Sequence, residues 1–326
     1  MKFSSLCSLL LAASATAFAP APAFSSSRIA VAPAETVVFI SSWGQKGPPA
    51  RTEQENENPE EQIQSYLKAP ASIEARANID GAVLVSGLVK SKERSDQYLF
   101  DLLNHEESAF EFKKIVAFCD DAKFARKRLL SRSARYTGLY DKLDFVEASA
   151  PGALPTKEQL EGVKSWVAVL DGGDMLASVK EIGATVKGTS IENVSILLTN
   201  AFDLDAAACK DAVEALKADG IKYSLVAVGK LADHDEGKIP YQYKEFGSAE
   251  GVLASDAIFS RGEAMRMFSE CLQLECGVDK ALTFSEVYDV NATEVKLIKG
   301  LREAGYARSQ EIDHMLRVGV GVSCRK

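Results

Sequence analysis

The stretch Ser86-Gly87-Leu88-Val89-Lys90-Ser91-Lys92-Glu93-Arg94 comes nearest to residues whose type and spacing do chemistry. A glycine just after a buried strand lets a phosphate approach bare backbone, and the next helix offers its N–H groups to the same anion. A turn made for that task carries G-x-G-x-x-G or G-x-x-G-x-x-G. Here Gly87 stands alone and charged side chains fill the rest. Other reactive types are scattered. His105, His234 and His314 fall in no metal-ligand spacing and are expected on the surface. Cys119, Cys209, Cys271, Cys276 and Cys324 form no C-x-x-C pair, and Cys271 and Cys276 share a helix face poorly, as in a reducing compartment. The sequons Asn193-Val194-Ser195 and Asn291-Ala292-Thr293 are taken as chance matches.

Strands and helices must position that turn. Ala82–Val85, Ile115–Cys119, Leu143–Glu147, Trp166–Leu170, Val194–Leu198 and Tyr223–Val228 are short apolar runs of strand length. Between them, Tyr98, Leu99, Leu102 and Leu103 recur at helical spacing behind Ser91 as N-cap. Further helices are predicted at Lys123–Ser131, from Thr156, over Met175–Ile182 and over Asp205–Asp219, the last closed by Gly220. Alternation at this spacing implies a parallel sheet with helices on both faces. Val85, Val116, Val167, Leu197 and Leu225 are the expected central core. Past Gly229 the pattern changes. Ser260–Leu274, Thr293–Gly305 and Gln310–Leu316 read as helices and Thr283–Tyr288 as a strand, a small C-terminal cap expected over the carboxyl ends of the strands. Tyr241-Gln242-Tyr243-Lys244 is expected to line a pocket mouth or cover the top of the sheet, and His234-Asp235 to lie in an exposed turn.

The chain has 326 residues, ordinary apolar content and a net charge of −8, which argues against a nucleic-acid surface. After the N-terminus no apolar run reaches membrane-spanning length. Met1–Ala17 has the basic start, apolar core and A-x-A end of a signal peptide. Ala15-Thr16-Ala17-Phe18-Ala19-Pro20, followed by Ser-rich, acid-free sequence, resembles the bipartite plastid presequence of diatoms and related algae. That resemblance implies import into a complex plastid, with a transit-like segment over 18–50. Gly44–Glu61, with three prolines and five glutamates, is expected to be a disordered linker reaching to residue 62. A single folded domain is expected over 63–326, its C-terminal portion starting near 230.

Lys210-Asp211-Ala212-Val213-Glu214-Ala215-Leu216, followed by Gly220-Ile221-Lys222-Tyr223-Ser224-Leu225-Val226, resembles a pattern of the atypical short-chain dehydrogenase/reductases related to NmrA. Ser260-Arg261-Gly262-Glu263-Ala264 is similar to a second motif of that family. The resemblance runs from about Ala82 to Tyr288 and implies a Rossmann-like α/β fold. It also implies where a cofactor would sit. Gly87 matches the first glycine of the family turn, while the later two fall on Lys90 and Glu93. Lys90 can meet a phosphate as a point charge, and Glu93 would repel one. Asp120, with Asp121, stands where an acid suits a ribose hydroxyl, hence NAD over NADP, although a turn with a helix cap is the more ordinary use. Thr199, with Asn200, replaces the family serine, and Lys210 matches its lysine. Four residues earlier Ala206 replaces the catalytic phenol.

These departures imply a protein with no catalytic set and no cofactor expected, although NAD or NADP remains possible. The function expected is an assembly, scaffold or subunit role toward a protein partner in a plastid complex, with peripheral membrane association possible and no nucleic acid. The alternatives are an oxidoreductase of the same family and a nucleotide-sensing regulator. Lys123–Arg135 is a basic face suited to an acidic partner or simply to solvent.

Overall fold

Short apolar runs bounded by glycine or charge suit strands whose two faces are both covered. The computed structural model describes residues 80–88, 95–104, 111–130, 138–172, 174–217 and 220–318. The runs become β1 (Asp80–Ser86), β2 (Glu111–Cys119), β3 (Leu143–Glu147), β4 (Val163–Asp171), β5 (Asn193–Thr199) and β6 (Lys222–Ala227). They lie parallel in the order β3-β2-β1-β4-β5-β6. Leu84 pairs with Val116 on one side and Trp166 on the other, and Leu197 pairs with Val226. Val85, Val116, Val167, Leu197 and Leu225 are all buried.

The period-two alternation of strand side chains divides the core in two. Val83, Val85, Ile115 and Ala117 face α1 (Ser95–Leu103), α2 (Ala122–Leu129) and α3 (Leu139–Lys142). Leu84, Trp166, Ala168 and Ile196 face α4 (Met175–Val186) and α5 (Ala206–Leu216) on the other side. Helices therefore change face between β1 and β4, and the carboxyl ends of these two strands part to leave a crevice.

Beyond β6 the elements are β7 (Lys230–Ala232), β8 (Tyr241–Glu245), β9 (Ile258–Ser260), α6 (Arg261–Gln273), β10 (Lys280–Glu286), α7 (Thr293–Glu303) and α8 (Arg308–Val318). Here the expectations need correction. β10 joins the main sheet parallel to β6, and β8 closes the edge antiparallel to β10, giving eight strands. Tyr241 and Tyr243 thus belong to a strand and are buried, their rings tilted against Phe284 at ring-centroid distances of 6.1 and 5.7 Å. The strands β7 and β9, three residues each, pair separately. The helices α6, α7 and α8 share one core with α1 and α2 on a face of the sheet. His314 on α8 is buried, not exposed, and Cys276 lies in a 3₁₀ turn beyond the helix of Cys271. The helix expected from Thr156 is a run of turns, because Leu160 alone supplies an apolar anchor and Gly162, at φ +75°, ends the segment. The presequence, the linker, Ser91 and His105 lie outside the described residues.

Candidate functional site

The crevice between β1 and β4 forms a cleft of about 270 Å³ at the carboxyl end of the sheet. Gly87, Asp120, Asp171, Asp174 and Met175 are among the residues that line it. Gly87 leaves β1 at φ +84°, and a Cβ there would stand 1.7 Å from the carbonyl oxygen of Val169. Glycine is therefore demanded by the contact of the β1 exit with β4, whether or not a ligand enters. Ser86, the last residue of β1, accepts a 2.9 Å hydrogen bond from Trp166 Nε1, which locks β1 to β4 beneath the cleft floor.

The carboxylates on the rim have structural partners. Asp121 accepts from Phe124 N at 2.9 Å and caps α2, so the helix-cap use of this turn holds for Asp121. Asp120 accepts from Gly152 N at 3.0 Å, which draws the loop after β3 toward β2. Asp174 accepts from Ala177 N at 3.1 Å and caps α4. Asp171 accepts from Thr199 Oγ1 at 2.9 Å and also from Asn200 Nδ2. The Thr199 hydroxyl is thus given to a carboxylate. Asn200, at φ +56°, turns the chain out of β5.

Burial, reinforced by Glu147, Asp120 and Asp121, pushes the Cys119 thiol up to about 11, so it stays protonated at neutral pH. Lys210 does not reach this cleft. It is exposed on α5, and its stem lies beside Gly247. Lys90 and Glu93 lie outside the described residues. The structure therefore brings Gly87 and Asp120 together, sets Thr199 behind Asp171, and leaves Lys210 apart. Trp166 and Asp171 carry no site signal in the sequence, since a tryptophan and an acid at strand positions make no motif.

A dinucleotide asks for an apolar slot for its base and positive or N–H-rich surface for its diphosphate. The cleft offers the first through Phe118, Leu154 and Met175. Among the described residues its lining has Asp120, Asp171 and Asp174 and no Lys or Arg. Its volume sits at the small end for ligand sites, which run from roughly 300 Å³ upward. These residues fit a nucleoside better than a diphosphate.

A second concentration of charge surrounds residues 233–238, which follow β7. Glu236 accepts from Tyr98 of α1 at 2.5 Å and from Arg266 of α6 at 3.0 Å. Gly237 donates to Glu263 at 2.7 Å and accepts from Arg302. Arg308 bridges Glu263 and Glu311, and Arg302 grips Glu311 with two bonds of 2.7 and 3.1 Å. Glu270 accepts from Ser309 at 2.7 Å. His234 pairs with Glu286, which also accepts from Ser260 N at 2.8 Å. Burial raises the carboxyls of Glu263 and Glu270, against the pull of Arg308 on the first and of Ser309 and Arg266 on the second. Burial and the bond to Glu236 push the Tyr98 phenol up to about 12.

The strand order, the change of helix face at β1/β4 and the cleft there define a Rossmann-like α/β fold, the fold of NAD(P)-binding proteins. No protein-family model matches the chain, and no curated protein matches its sequence. Among solved structures, a Rossmann-fold NAD(P)-binding family protein from Shigella flexneri is similar over 64% of this chain and 94% of its own, at 14% identity and a TM-score of 0.46. A Bacillus halodurans protein provisionally named an NAD-dependent epimerase/dehydratase is similar over 67% and 99%, at 13% identity and a TM-score of 0.43. Vestitone reductase from alfalfa, Medicago sativa, is similar over 73% and 97%, at 12% identity and a TM-score of 0.38. Such values carry no residue-level correspondence.

Proposed function

We propose that this chain is a catalytically silent Rossmann protein that serves a plastid complex as an assembly, scaffold or subunit protein. One observation carries the reading: the groups a hydride-transfer site needs are missing or used elsewhere. Ala206 offers no phenol, the Thr199 hydroxyl is bound to Asp171, and Lys210 is not among the residues that line the cleft. Without a positioned acid, proton transfer to a carbonyl loses the factor of about 10² to 10⁴ that general catalysis supplies. The acidic rim adds repulsion toward a diphosphate. The test is titration calorimetry of the purified protein, without its presequence, against NADH and NADPH, followed by turnover against a carbonyl panel. No binding in the low micromolar range and no turnover are expected. Turnover would move the oxidoreductase reading to the front.

A second reading is favoured by the open cleft itself, whose apolar slot suits a nucleoside. In that reading the protein senses a nucleotide without turning it over, and binding without turnover is its signature. For the scaffold reading, pull-down from solubilised plastids with mass spectrometry should return a reproducible protein partner. For location, a fluorescent fusion of residues 1–51 should enter the plastid, and Phe18→Ala should hold it in the endomembrane system.

A further inference from the structure

The two sequons look alike in the sequence, and the fold separates them. Asn193 opens β5, is 5% exposed and lies between Ser165 of β4 and Lys222 of β6 in the middle of the sheet. A bulky, hydrated glycan on that side chain has no path to solvent. Asn291 stands in the turn between β10 and α7 and is exposed. Around it Tyr288 and Val290 are 63% and 73% exposed. The bonds that shape this turn run from main-chain N–H groups to Asp289. Asn291 N donates to Asp289 Oδ1 at 2.9 Å, and Ala292 N donates to the Asp289 carbonyl at 3.0 Å. Thr293, the hydroxyl residue of the sequon, is exposed at the first position of α7, and no side chain caps that helix. Neither sequon side chain is therefore needed to hold the turn.

We propose that Asn291 is an N-glycosylation acceptor used as the chain passes through the endoplasmic reticulum, an inference that rests on the signal expected at Met1–Ala17. In this step Asn291 Nδ2 bonds to the anomeric carbon of an oligosaccharide carried on a lipid pyrophosphate. The bond from that carbon to the pyrophosphate oxygen breaks, the lipid pyrophosphate leaves and one amide proton is lost. Nothing is oxidised or reduced. The attached glycan projects from the turn and shields Tyr288 and Val290, which otherwise present apolar surface to water.

The full chain is translated with microsomes, once with its own leader and once with a heterologous cleavable signal, and protease protection reports entry. Protected chains should show one glycan, seen as a mobility shift removed by endoglycosidase. Asn291→Gln and Thr293→Ala should abolish it, and Asn193→Gln should leave it in place. A protected chain without the shift, or a shift that survives Asn291→Gln, overturns the proposal. Failure of the chain's own leader to bring it inside overturns it too, by removing the passage. In that case the heterologous signal still reports whether Asn291 is accepted, which separates loss of the leader from loss of the site. Neither result touches the scaffold reading, which calorimetry and pull-down decide.

Discussion

The cleft rim and the charge cluster around residues 233–238 use the same residue type in opposite ways. On the rim Asp120, Asp171 and Asp174 are exposed and turned toward backbone N–H groups or neutral side chains. In the cluster Glu263, Glu270 and Glu311 are buried, and arginines face them. A buried carboxylate must be paired, because leaving it alone costs several kcal/mol. An exposed one is free to serve a ligand or a cap. The chain thus commits its buried ion pairs to tying a loop to α1, α6, α7 and α8, and its rim carboxylates to caps and turns.

The largest effect is expected from Gly87→Ala. The added Cβ meets the Val169 carbonyl at 1.7 Å, and the backbone must also keep φ +84°. A loss above about 4 kcal/mol is expected, measured as a collapse of the urea midpoint. Gly172→Ala, at φ +66° in open space on the same rim, should cost only about 1–2 kcal/mol. Equal losses would mean that backbone strain, not the contact with β4, fixes the β1 exit.

In the charge cluster, Glu311→Ala removes a carboxylate with no exposure, takes from Arg302 its carboxylate partner and leaves Arg308 with Glu263. Breaking such a pair costs about 3 kcal/mol or more. Both arginines keep some solvent contact, so the lower end is expected, read from chemical denaturation. A change below about 1 kcal/mol would place this cluster with ordinary surface ion pairs.

The same cluster has a pH signature. Tyr98 is raised from 10.0 to about 12 in the folded state. Between those values the folded chain holds a proton that the unfolded chain has released, so stability falls as pH rises through that window. Glu263 and Glu270, also raised, act in the same sense above the ordinary glutamate value of 4.5. Tyr98→Phe should flatten the alkaline limb in thermal melts and leave the acidic side unchanged. An unaltered alkaline limb would mean that the phenol does not link α1 to Glu236.

Much of this fold was legible because its first six strands are apolar runs at βα spacing, and buried parallel strands announce themselves by composition. The C-terminal region was less so. β8 does alternate, Tyr241-Gln242-Tyr243, but five residues without an apolar run resemble a polar loop until β10 is known to lie beside them. β7 and β9, three residues each, carry no periodicity at all. His314 reads as exposed because histidine usually is, and the packing of α8 against α6, α7 and the 3₁₀ turn at Glu275–Gly277 accompanies its burial. For the site, Gly87 and Asp120 were found through the turn and the end of β2. The pairing of Asp171 with Thr199 was not, since two residues 28 apart meet only through the register of β4 and β5.

The smallest expected effect lies on that pair. Asp171→Asn keeps an acceptor oxygen for Thr199 and removes one charge from the rim. Thr199 also has the Leu170 carbonyl within 3.4 Å as a second acceptor. Stability should therefore move by no more than about 0.5 kcal/mol, the range of surface substitutions. The electrostatic consequence is more informative. If rim charge is what turns a diphosphate away, the neutral variant should take up NADH a few-fold more readily than the parent at low salt. At 1 M salt the difference should vanish, since charges there are screened beyond about 3 Å. Calorimetry at the two ionic strengths reads both. Gain at low salt alone assigns the exclusion to the acidic rim. No gain at either salt moves it to the shape of the cleft.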